Sequence, residues 1–173
     1  MRVFFFALAA ALLLSGCADK SAGPKPATVK SVDLQRYLGT WYEIARYPHS
    51  FERDCTGVKA RYSQNGDGTI EVTNTCYKHS LDGKKDVAKG EAYAVEGSNN
   101  SKLKVTFFWP FYGDYWIFDL APDYSYALVG SPDRRYLWIL SRSKKLAQKD
   151  KNHLLQKMDA LGFGRQKLIW TKQ

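Results

Sequence analysis

The chain has 173 residues, 45% hydrophobic and 14% aromatic, with 26 lysines and arginines against 17 acidic residues. That length suits one domain, and a globular part of about 140 residues would bury roughly two-thirds of its unfolded surface. The net charge of +9 is spread along the chain. With no helical basic stripe and no nucleic-acid motif, a nucleic-acid partner is set aside in favour of a solvated, mildly basic surface.

The first segment is an address. Arg2 precedes an unbroken apolar run of 12 residues from Val3 to Leu14, too short to span a bilayer comfortably but suited to the core of a signal peptide. Leu14-Ser15-Gly16-Cys17 follows and resembles the bacterial lipobox. That resemblance implies a signal peptide over 1–16, removed before Cys17, whose sulfur takes a diacylglycerol. Several acyl chains on one residue, palmitate for example, would anchor the chain firmly in a membrane. Ala18 after the cysteine is similar to lipoproteins sorted onward to an outer membrane, so a lipid-anchored protein facing the periplasm is expected. Residues 17–32, rich in Ala, Lys, Gly and Pro, read as lipidated N-terminus and flexible tether, leaving 33–173 as the domain.

From Tyr37 to Ser141 short alternating runs are separated by turn residues, the pattern of an antiparallel meander. A strand over 40–47 comes first. Val58, Ala60 and Tyr62 then alternate with Lys59 and Arg61. After the turn Asn65-Gly66-Asp67-Gly68, Ile70 and Val72 alternate with Glu71 and Thr73. Further strands are expected near 89–95, 102–109, 114–120, 124–130 and 135–141. Eight strands can close into an up-and-down barrel, which removes exposed edges and is wide enough for one small ligand. Over 146–161, Leu154, Leu155, Met158 and Leu161 recur at helical spacing, so one C-terminal helix should dock on the outside of the barrel. Gly162 would end it, and a short strand over 167–170 follows.

Of three cysteines, lipid consumes Cys17, leaving Cys55 and Cys76 in a compartment that permits a disulfide. Paired antiparallel residues share a face, so Ala60 should face Ile70 or Val72, giving position sums of about 130 or 132. Cys55 and Cys76 then fall on opposite faces, and a bond between them requires an irregularity. Gly57 can supply it as a bulge.

The segment Tyr37-Leu38-Gly39-Thr40-Trp41-Tyr42-Glu43-Ile44-Ala45-Arg46-Tyr47 resembles the Gly-x-Trp signature of the lipocalins. It is most similar to the bacterial outer-membrane lipocalins, the plant temperature-induced lipocalins and apolipoprotein D. Pro122-Asp123-Tyr124 with Ala127-Leu128-Val129, and Tyr136-Leu137-Trp138-Ile139-Leu140-Ser141-Arg142, resemble the second and third family motifs in order and spacing. The resemblance implies an all-β, eight-stranded barrel in which Arg142 lies across the Trp41 indole at the closed end, with Gly39 allowing close backbone approach. Those three residues are expected to be structural.

It further implies an apolar ligand in the lumen. Tyr136, Trp138, Leu140 and Arg142 share a face, and Trp138 should point inward nearer the mouth. Leu103, Val105 and Phe107 alternate with lysines and should also face inward. Phe107 to Tyr115 is an aromatic turn fixed by Pro110 and Gly113, so Phe111 or Tyr112 could form the rim. Candidate ligand contacts are thus Val105, Phe107, Phe111, Tyr112, Tyr136 and Trp138. Arg53 or Lys78 could meet an anionic head group. The expected ligand is a fatty acid or lysophospholipid, held passively for storage or transport, with no cofactor or metal; a homodimer stays open. A ligand-free envelope lipoprotein is the main rival. An enzyme is disfavoured: His49, His79 and His153 lie in separate contexts and no nucleophile elbow is present. A lipocalin-type isomerase would need a free thiol at 55 or 76.

Overall fold

The computed structural model describes residues 23–173. The signal peptide over 1–16 and the lipidation site Cys17 lie outside the described residues. Alternation of apolar and polar residues produces a meander of eight antiparallel strands: β1 Gly39–Arg46, β2 Cys55–Gln64, β3 Ile70–Lys78, β4 Lys85–Ala94, β5 Lys102–Phe108, β6 Phe111–Leu120, β7 Tyr126–Gly130 and β8 Leu137–Ser141. Each pairs with the next, and β8 pairs back onto β1 (Tyr42 opposite Ser141), so the sheet closes into the expected barrel. Helix α1, Leu34–Tyr37, precedes the first strand and α2, Gln148–Ala160, follows the last.

Period-two alternation divides the apolar residues between two cores. Ile117, Val129 and Leu140 point into the barrel with Trp41, Tyr62 and Leu103. Their neighbours Phe118, Leu128 and Ile139 point outward, where Leu154 and Met158 of α2 and Phe163 cover them. Gly162, at φ +79°, terminates α2 as its backbone freedom suggests.

The closed end is built by α1 and the third motif. Asp33 Oδ1 accepts from the Gln35 amide at 2.9 Å and so caps α1. The Arg142 guanidinium sits 3.8 Å from the centre of the Trp41 ring. It also donates to the carbonyls of Arg36 (2.7 Å), Thr40 (2.9 Å) and Tyr37 (3.1 Å). At Gly39, with φ +95°, a side chain would be strained and would crowd the Arg142 guanidinium.

Pairing of β1 with β2 stops at Tyr42 opposite Lys59. Above that point the strands diverge, and β9 (Ile169–Trp170) pairs with β1 at Ala45 and Arg46. Gly57 N donates to Lys172 O at 2.6 Å, so the C-terminal residues fill the split in the wall.

Several expectations need correction. The final strand is two residues long, because a 3-10 turn occupies Arg165–Lys167. The β2–β3 register differs from the expected one: Ala60 faces Asn74 rather than Ile70 or Val72, and Tyr62 faces Val72, with five residues in the turn between Gln64 and Ile70. The shared face was inferred correctly, as was the irregularity: the register slips between Thr56 and Lys59, around Gly57 at φ +57°. That slip brings Cys55 and Cys76 to one side, and they form a disulfide with Cα atoms 5.5 Å apart. The tight turn of β5–β6 is Trp109-Pro110 alone, and Gly113 sits within β6 opposite Val105. Finally, residues 24–32 are no free tether. Val29 N donates to Ile117 O and Val32 N to Asn99 O, both at 2.9 Å, with Val32 buried: this stretch is a strap packed along the wall.

Candidate functional site

At the end opposite α1 the barrel opens. Three of its turns converge there with the β1–β2 connection, residues 47–54, which folds back as a lid. Below lies a cavity of about 520 Å³, within the range of small-molecule sites. Its lower wall is Val72, Val129 and Leu140 with Tyr62 and Tyr115; its upper wall is Val105, Phe107, Phe111, Tyr136 and Trp138. A side chamber of about 290 Å³ under the lid reaches toward the Cys55–Cys76 disulfide.

Five of the six residues proposed for ligand contact therefore meet on this surface. Tyr112 does not. It packs edge-on against Tyr93 on the outer face of the sheet, with ring centres 5.3 Å apart. Phe111 and Tyr112 are consecutive in a strand, so only one can face the lumen. Arg53 and Lys78 do not line the cavity either. The Lys78 ammonium donates to Arg53 O at 3.1 Å and lies 3.4 Å from Asp86.

Below the cavity the hydroxyls of Tyr37, Tyr62 and Tyr115 form a chain, 2.7 Å from Tyr37 to Tyr115 and 3.2 Å from Tyr62 to Tyr115. Burial holds all three phenols protonated, pushing Tyr62 up to about 12. These hydroxyls satisfy one another, so the floor is polar in atoms yet uncharged.

The lid was not foreseen. His49 stacks on Phe51 with ring centres 3.8 Å apart and leans on Trp138 at 5.3 Å; Trp138 in turn stacks with Tyr136 at 6.0 Å. Beneath these rings lies a charged cluster. Glu43 is 2% exposed and faces Arg46 at 3.5 Å; Arg46 lies 3.2 Å from the Glu52 carboxylate and donates to Glu52 O at 2.8 Å. The side-chain approach of Arg46 Nε to Glu52 Oε2 is close but misaligned for a hydrogen bond. Thr171 Oγ1 donates to the same Glu43 oxygen, Oε1, that faces Arg46. Burial first, then the neighbouring Glu43, pushes the Glu52 carboxyl up to about 9. Burial and then Arg46 push His49 down to about 4. At neutral pH both groups are uncharged, and the lid closes without an unpaired charge. The pleat gave a hint of this: Glu43 shares the inward face of Trp41. The lid's partners left no periodic signal.

A closed antiparallel barrel with a packed floor, an external helix and an open apolar cup is the architecture of the lipocalins. Residues 32–173 match the family described as "Lipocalin-like domain", and the chain belongs to that family. An outer membrane lipoprotein Blc of Vibrio cholerae is 41% identical over 174 residues, covering 100% of this chain and 99% of that protein. The Blc protein of Escherichia coli K12 is 41% identical, covering 96% and 94% of the two chains. Temperature-induced lipocalin-1 of Arabidopsis thaliana is 38% identical over 84% of this chain and 81% of its own. Among solved structures, insecticyanin of the tobacco hornworm superposes with a TM-score of 0.71 at 22% identity, covering 87% and 85% of the chains, and speaks for the fold alone.

Proposed function

We propose that this lipocalin is a lipid-anchored carrier that holds one single-chain lipid, a fatty acid or lysophospholipid, for storage or transport in the bacterial envelope. In this reading residues 1–16 are removed, Cys17 is acylated, and the domain faces the periplasm from the outer membrane. Two supports come from relatives: the Blc proteins are named outer membrane lipoproteins, and the likeness to the Vibrio cholerae protein includes the N-terminal segment.

The observation that carries the ligand reading is the open cavity itself, apolar on its walls and closed below by Trp41 and the tyrosines. A hydrocarbon chain leaving water for this surface gains about 0.8 kcal/mol per buried methylene. The tail would lie against Val105, Val129 and Leu140, with Phe107, Phe111, Tyr136 and Trp138 around its upper part. Among the residues lining the cup, the acids Glu43, Glu52 and Asp114 outnumber the single cation, Lys59, which is exposed to solvent. The head group therefore stays at the rim. Protein stripped of lipid and titrated with a lysophospholipid should show saturable quenching of its tryptophan fluorescence, and calorimetric titration of Trp138→Ala should show binding at least tenfold weaker than wild type. A folded, delipidated protein that binds neither lysophospholipids nor long-chain fatty acids would overturn this function.

Catalysis finds no support at the cysteines. Cys55 and Cys76 are joined, so neither supplies the thiol nucleophile that an isomerase reading needs.

A further inference from the structure

The rim of the cup is greasier than a soluble mouth requires. At the tip of the β5–β6 hairpin, Phe108 is 75% exposed, Trp109 77% and Phe111 70%, and Phe51 of the lid is exposed beside them. From Val105 to Gly113 the sequence has no charged residue. Phe51, Phe108 and Phe111 border the same opening, so these rings form one patch around the entrance, not scattered residues. Contiguous exposed aromatic surface marks an interaction site.

The path of the strap says what covers it. From Asp33 at the floor the chain runs backward along the wall, through Val29 beside Ile117, to Pro24. There the Pro24 carbonyl accepts from Arg134 Nη2 at 2.9 Å. Arg134 belongs to the β7–β8 turn, which lies at the mouth because β8 ends at the floor with Arg142. The N-terminal segment therefore leaves the domain at its open end. Cys17 precedes Pro24 by seven residues in sequence, a span of at most about 25 Å even when fully extended.

We infer that the barrel docks mouth-down on the bilayer that holds its own lipid, with the Phe108-Trp109-Pro110-Phe111 tip seated in the interfacial layer. The inference rests on the anchor proposed for Cys17. Aromatic rings favour this zone, where one side is apolar and the other wet. Docked in this way, the opening faces the leaflet, and a single-chain lipid passes between membrane and cup without crossing bulk water.

The test uses the processed protein in phosphatidylcholine vesicles whose acyl chains carry bromine, which quenches tryptophan on contact. Wild type should be quenched, and Trp109→Ala, at an exposed position that leaves the fold intact by circular dichroism, should lose most of that quenching. Quenching equal in the two proteins, or absent in wild type, overturns the docking. Intact mass separates this from the anchor: a Cys17 without added acyl groups removes the anchor reading, and the tip must then still carry vesicle flotation that Trp109→Ala and Phe108→Ser weaken at least tenfold. If the same substitutions convert a dimer into a monomer in sedimentation and leave bromine quenching unchanged, a second copy of the chain covers the tip and the membrane proposal fails.

Discussion

Arg142 joins the two ends of the barrel's chain path at one point. Its guanidinium covers Trp41 and binds three carbonyls around α1, so it tethers β8 to the entry segment. Cation–π contact contributes about 1–2 kcal/mol when sheltered, and charged hydrogen bonds add to it. Arg142→Ala should therefore lower stability by about 2–4 kcal/mol in urea denaturation, with the cavity still able to bind lipid. Glu52 and His49 set a pH dependence at the other end. Glu52 is raised, so its contribution is complete below the ordinary 4.5 and fades as pH rises toward about 9. His49 is depressed, so its contribution is complete above the ordinary 6.5 and fades as pH falls toward about 4. Between 4.5 and 6.5 the two slopes offset. Above 6.5 only Glu52 titrates, and amide hydrogen exchange of residues 47–54, corrected for its intrinsic pH dependence, should report a loosening lid up to pH 9. Glu52→Gln should flatten that limb; an unchanged limb would exclude Glu52 as its source.

Elements show how far a pattern reaches. All eight barrel strands and α2 could be read from the spacing of apolar runs and turn residues, although β7 and β8 are buried on both faces where α2 covers the wall. Register was less legible. Alternation says which residues share a face, whereas turn length says which residue stands opposite, and the five-residue turn after Gln64 sets Ala60 opposite Asn74 rather than Ile70 or Val72. The disulfide was accessible because Gly57 marks the only easy place for the needed slip. Replacing both Cys55 and Cys76 by Ser should cost about 3 kcal/mol, chiefly through a freer unfolded chain. Helix α2 contributes by covering the outer core. Leu154 is fully buried there, so Leu154→Ala should cost about 2–5 kcal/mol by thermal or chemical melting. The strap over 24–32 could not be seen. Its hold comes mainly from backbone hydrogen bonds to Ile117 and Asn99, for which its sparse apolar residues give no period.

At the scale of the whole molecule, closure makes an inside, and the inside is left partly unfilled. Val105, Phe107, Phe111 and Trp138 lie on strands whose inward face the sequence fixes by parity, with Tyr136 just before β8; Tyr112 lies off the cavity surface because Phe111 beside it takes the lumen side. The lid cluster of Arg46, His49 and Glu52 is assembled by the fold from a loop and a strand end, so no local pattern announced it. Filling the cup should abolish binding without unfolding the barrel: Val129→Trp, pointing into the cavity, should keep a native β-sheet spectrum yet bind lysophospholipid at least tenfold more weakly. The most direct measurement is native mass spectrometry of the processed protein drawn gently from its own membrane. One added lipid of a single acyl chain per protein, absent from Val129→Trp, is the expected spectrum. Wild-type protein that is bare, or that carries lipid equally in both forms, would contradict a carrier built on this cavity.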